Sequence, residues 1–111
     1  MDMHLNHQPF VAIKNGTKTI EVRLNDEKRS KLQVGEEIRF TDLKTGETVV
    51  TETFGLERFA SFKELFRKYS GVIIGSPEEK SIAELDRENQ EIYSRELEGK
   101  YGALAIKIKL I

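Results

Sequence analysis

Residues 16–23 read Gly16-Thr17-Lys18-Thr19-Ile20-Glu21-Val22-Arg23, a G-x-K-x-x-E-x-R pattern that brings an ammonium, a carboxylate and a guanidinium close together. Arginine offers a rigid fork to phosphate or to the acceptor edge of a base, and lysine offers a mobile cation. Glutamate accepts hydrogen bonds from amino groups such as N4 of cytosine. Ile20, Val22 and Leu24 alternate with Thr19, Glu21 and Arg23. On a strand, therefore, Glu21 and Arg23 project from one face roughly 7 Å apart. Lys18 has the other parity, so it joins them only if the strand starts after it and the turn at Gly16 redirects it. Such a trio suits a polar planar ligand. The alternative is an exposed Glu21–Arg23 pair with Lys18 in solvent, worth at most about 1 kcal/mol.

Other candidates carry less chemistry. His4 and His7 are the two imidazoles, and a metal would need a third ligand such as Asp2 on a shared helix, which Pro9 argues against. No metal is expected there. Gly71-Val72-Ile73-Ile74-Gly75 has the glycines of a phosphate loop without its G-K-[ST], so it reads as a hydrophobic loop and a possible cleft wall. No cofactor is expected. With no cysteine there is no thiolate nucleophile and no disulfide, and no G-x-S-x-G marks a serine nucleophile. Tyr101 can stack on a base, a contact worth about 1–3 kcal/mol. Tyr93 falls on an apolar stripe with Ile82, Leu85 and Ile92, which assigns it to the core.

The elements that must position these residues follow from periodicity. Pro9 can open a helix over 9–15, with Gly16 as its left-handed closing residue. A strand spans 19–24, and the polar run 25–33 is a loop. Ile38 and Phe40, then Val49 to Thr51, read as a hairpin turning at Lys44-Thr45-Gly46. Ser61 with Glu64 offers a capping box for a helix to about Lys68, and Ser76-Pro77-Glu78-Glu79 offers another for a helix over 77–94. Leu104, Ile106, Ile108 and Leu110 alternate with polar or small residues in a closing strand. The pattern is α+β: a mainly antiparallel sheet or barrel with about three peripheral helices, in a single domain over 1–111.

The chain has 111 residues, of which 38% are hydrophobic and 33% charged, enough for one core and rich in surface charge. No run is long and apolar enough to span a membrane, and the start lacks a signal-peptide pattern, so a cytoplasmic location is expected. Net charge is −1, yet residues 14–31 carry six basic against three acidic side chains, while 78–98 carry three against eight. A local positive site for an anion is therefore available, although long duplex nucleic acid usually demands a larger basic excess. A protein-interaction role for the acidic helix is a weaker alternative.

Three segments together carry a family resemblance: the Gly16, Lys18, Glu21, Arg23 motif, Leu32-x-Val34-Gly35-x-x-Ile38-x-Phe40, and Tyr101-Gly102 before the last strand. The sequence resembles the ASCH domain family, whose members look like PUA-type RNA-binding domains. The resemblance implies a small PUA-like β-barrel with peripheral helices, and a cleft beside the motif that binds RNA or a modified, nucleobase-like nucleoside. Lys18, Glu21, Arg23 and Tyr101 are the expected ligand-binding residues, and Arg23→Ala is expected to weaken binding with little change in Tm. The resemblance also implies an alternative. Certain small bacterial ASCH proteins are amidohydrolases that deacetylate N4-acetylcytidine, using a lysine that activates a threonine three residues further on. Here that position is Glu21, so Lys18 and Glu21 become the catalytic candidates, with Glu21 as base for a water and Lys18 neutralising the oxyanion.

Overall fold

The computed structural model describes residues 1–76 and 79–111. Strand β1 (Asp2–Leu5) buries Met3 and Leu5, an alternation too short to stand out in the sequence. Helix α1 (His7–Lys14) begins ahead of Pro9 and therefore includes His7, contrary to the expected start at Pro9. First-turn amides have no carbonyl to meet, so a proline there costs the helix nothing. The first full-turn bond runs from Phe10 N–H to Asn6 O at 3.1 Å. Gly16 then takes φ +85°, the left-handed closing position expected of it. Strand β2 (Ile20–Leu24) follows.

The predicted hairpin is β3 (Glu37–Asp42) with β4 (Thr48–Phe59), but β4 runs well beyond Thr51. A register shift between Thr53 and Gly55 breaks its alternation, and buried threonines stand where aliphatic residues would have signalled a strand. Helix α2 (Phe62–Lys68) starts where Ser61 indicates, the serine hydroxyl accepting Glu64 N–H at 3.2 Å. The helix expected over 77–94 is shorter than that, and a separate helix that was not expected follows it. Pro77 and Glu78, part of the expected start of the first, lie outside the described residues. Helix α3 (Ile82–Gln90) is capped by Ser81 and helix α4 (Arg95–Tyr101) by Ser94, each hydroxyl accepting an amide three residues on. Four α-helices are thus present among the described residues where about three were expected. The chain closes in β5 (Ala103–Leu110).

The strands form one curled mixed sheet in the order β1-β3-β4-β5-β2, a half-barrel in an α+β fold. β1 runs parallel to β3, and the remaining pairs are antiparallel. β5 is buried on both faces over its first half, residues 103–106. Leu104, Ile106 and Ile108 pack with Met3, Phe10 and Phe40 inside the curl, while Ala103 and Ala105 lie under Phe62, Leu65 and Leu85 outside it. No helix of the described residues is long and apolar enough to cross a membrane.

Candidate functional site

In β2, Ile20 and Leu24 face the outer cluster beneath α2 and α3. Glu21 pairs with Ile106 and Arg23 with Leu104 across to β5, which sets both charged side chains on the inner face of the curl. This placement accounts for the burial of Glu21, 2% exposed, and the partial burial of Arg23; Lys18, ahead of the strand, is 7% exposed. The strand starts at Ile20, after Lys18, so the parity that separated them no longer applies. Lys18 N–H is bound to Ala12 O at the end of α1, and Thr19 N–H to Ile73 O in the 71–74 turn, which aims the lysine back along the strand.

The three head groups converge on Glu21. Its Oε1 lies 2.6 Å from Lys18 Nζ, and its Oε2 accepts from Arg23 Nε at 2.9 Å and pairs with Nη2 at 2.8 Å. Burial alone would push the Glu21 carboxyl up, but the Lys18 and Arg23 charges and the bonds they donate outweigh it and hold the group below its ordinary 4.5. Arg23 Nη2 also donates to His4 O at 3.0 Å. β1 and β2 are the two edges of the sheet, so this guanidinium bridges the open seam of the half-barrel.

The trio lines a cleft of about 270 Å³, with His4 and Asn6 on one side and Asn89, Ile92 and Tyr93 on the other. Lys18, Val22, Asn89 and Ile92 are shared with an adjoining lobe of about 330 Å³, floored by Phe66, Ile74 and Leu85. Gly75 belongs to that lobe and presses on the lysine stem: a Cβ there would lie 2.8 Å from Lys18 Cδ, and the residue sits at φ +88°. The hydrophobic 71–75 segment is therefore a cleft wall. A further hollow of about 420 Å³ between α1 and this turn is lined mainly by small and apolar groups and holds none of the three charges.

Tyr101 is not brought to the cleft. It packs against the outer apolar cluster with Lys100 Nζ 5.1 Å from its ring. Tyr93, assigned to the core from its stripe, lines the cleft while stacking on Phe62 at 5.5 Å between ring centres. Because α3 ends at Gln90, Tyr93 leaves the helical stripe and turns to the cleft mouth. Asn89 was missed, since nothing local distinguishes it from a surface residue, and His4, weighed only as a metal ligand, lines the cleft and gives its carbonyl to Arg23. Thr17 and Thr19 line hollows other than the motif cleft. His7 is bound to Asp42, and the described residues hold no group of three His, Asp or Glu side chains fit for a metal.

The ASCH domain family model matches residues 3–111. The chain belongs to the ASCH domain family. Among solved structures, this ASCH domain is similar to the hypothetical protein PH0355, at 34% identity over the full length of both chains with a TM-score of 0.83. It is also similar to protein PF0455 from Pyrococcus furiosus, at 31% identity over 100% of this chain and 98% of that one, with a TM-score of 0.74. An ASCH domain from Lactobacillus crispatus shares the fold at 16% identity, covering 92% of this chain and 69% of its own, with a TM-score of 0.61. No protein with a curated description matches the chain.

Proposed function

We propose that this ASCH domain binds RNA or a modified, nucleobase-like nucleoside in the cleft beside its G-x-K-x-x-E-x-R motif, in a reducing cytosol. The observation that carries the reading is charge buried at a concave wall, with Lys18 7% and Glu21 2% exposed and Arg23 bound to the same carboxylate. Ion pairs taken out of water gain the fold little over apolar side chains of similar volume. Stability alone is therefore a weak account of three charges meeting in a hollow, whereas a polar ligand that shares their bonds is a sufficient one. Polar groups converging between apolar side chains such as Val22 and Ile92 are features of a small-ligand site.

Calorimetric titration of ribonucleosides and short single-stranded RNA tests the reading. Binding to wild type that is at least tenfold weaker in Arg23→Ala supports it. Absence of binding to the whole panel, or binding indifferent to the substitution, overturns it. Release of acetate from N4-acetylcytidine by wild type but not by Lys18→Ala would assign the amidohydrolase activity instead.

A further inference from the structure

Resting on that ligand-site reading, we infer that the ligand carries a phosphate, with the Lys18–Glu21–Arg23 wall as the anion seat and the adjoining lobe as the seat of the ring. Three observations point this way. Glu21 is already committed: Lys18 holds Oε1, Arg23 holds Oε2 through two nitrogens, and 3% of the side chain is exposed. It has little left to offer the amino group of a base. Among the described residues Glu21 is also the one acidic side chain lining the motif cleft, so there two cations stand against one committed carboxylate, a net charge of +1. Arg23 Nη1 has no partner among the described residues, and Lys18 Nζ has none there besides Glu21. The remaining hydrogen-bonding capacity is donor capacity on cations, which an anion matches in charge as well as in bonds, whereas the acceptor edge of a neutral base supplies bonds alone.

The adjoining lobe has the complementary character. Its floor of Val22, Phe66, Ile74 and Leu85 is apolar, while its rim is polar: the Lys80–Glu88 ion pair and Ser76 stand there with Asn89 and Gln8, whose amides can both donate and accept. Lys18 belongs to both lobes, so a phosphate on the lysine leaves its nucleoside beside this floor. Glu21 fixes both cations before the ligand arrives, which lowers the ordering cost of binding. The shared chemistry is a phosphate ester on a nucleoside, whether a free nucleotide or the backbone of an RNA strand.

The test titrates inorganic phosphate, cytidine, adenosine, their 5′-monophosphates and the dinucleotides CpC and ApA against the whole chain. The phosphorylated nucleosides are expected to bind at least tenfold tighter than the nucleosides. That advantage should shrink in Arg23→Ala and fall between about 50 and about 200 mM salt as for roughly one phosphate contact. Dinucleotides binding above monophosphates identify an RNA backbone as the source, and the reverse order identifies a free nucleotide. Nucleosides binding as tightly as nucleotides overturn the inference and leave the ligand-site reading standing. Inorganic phosphate matching the nucleotides overturns the ring seat, and no binding by any probe takes down the ligand-site reading as well. Ile92, 71% exposed at the junction of the lobes, provides a variant that does not disturb the core. Ile92→Asp should weaken nucleotides by a larger factor than nucleosides, and an equal fall for both overturns the inference.

Discussion

Glu21 stands between two cations, and neutralising it alone leaves both without a counter-charge. Removing one partner of a buried pair costs about 3–5 kcal/mol, so Glu21→Gln is expected to lower the unfolding free energy by about that much in a urea titration. The pH dependence has a definite sign. A carboxyl held below its unfolded value contributes stability that is complete above that value and is lost as pH falls through the folded one. For Glu21 the loss starts as pH drops past 4.5. Asp42 acts in the same sense from 3.8: burial alone would raise it, but bonds from His7, Lys44 N–H and Thr45 together hold it low. Stability plotted against pH should thus fall below about pH 4.5, with a shallower fall in Glu21→Gln. Parallel curves would show that the buried carboxylate does not titrate with the fold. At this scale the sequence revealed that Glu21 and Arg23 share a face, but not that the face is enclosed. Charged residues alternating with apolar ones ordinarily face solvent, and the curl of the sheet, a property of distant residues, reverses that expectation.

The segment between Gly71 and Gly75 shows how an element sets a head group. At Gly75 a side chain meets both a left-handed backbone, which costs about 1–2 kcal/mol, and the stem of Lys18 at 2.8 Å. Gly75→Ala is therefore expected to displace the lysine and reduce ligand affinity severalfold. Gly46→Ala, with a similar φ of +76° and open space around it, should cost stability alone. Calorimetry on both variants separates the two effects, and equal affinities would remove Gly75 from the site. The capping serines give a simpler check: Ser94→Ala should cost about 1 kcal/mol, read by thermal melting. Ser61 announced its helix because a clear apolar stripe follows it. The division of the acidic stretch into α3 and α4 was harder to read because Ile92 and Tyr93 extend the helical spacing across the break, where they serve the cleft.

Across the whole molecule, the α+β class and the closing strand were legible from alternation, and the helix-to-strand junction at Gly16 from its glycine. β1 and the long reach of β4 were not, because four residues make too short a pattern and a register shift interrupts the other. The seam has a consequence for the expected Arg23→Ala result. Since Nη2 also bonds His4 O, the substitution removes a tie between the sheet edges as well as a ligand contact. A hydrogen bond to a charged group contributes about 1.5–3 kcal/mol, so Tm should fall by several degrees, with faster amide hydrogen exchange in β1. Unchanged exchange there would mean the tie holds nothing.

β2 lies at the end of the sheet and its neighbour is β5, pairing Glu21 with Ile106 and Arg23 with Leu104 across most of the length of the chain. Closing so large a loop is entropically costly and slow, and proteins rich in distant pairings fold in milliseconds to seconds. A hairpin of β3 and β4 can assemble early from neighbours in sequence, but the cluster of opposed charges has no scaffold until the last strand docks. Ligand capture during refolding would accordingly report the arrival of that strand, and with it the completion of the native topology.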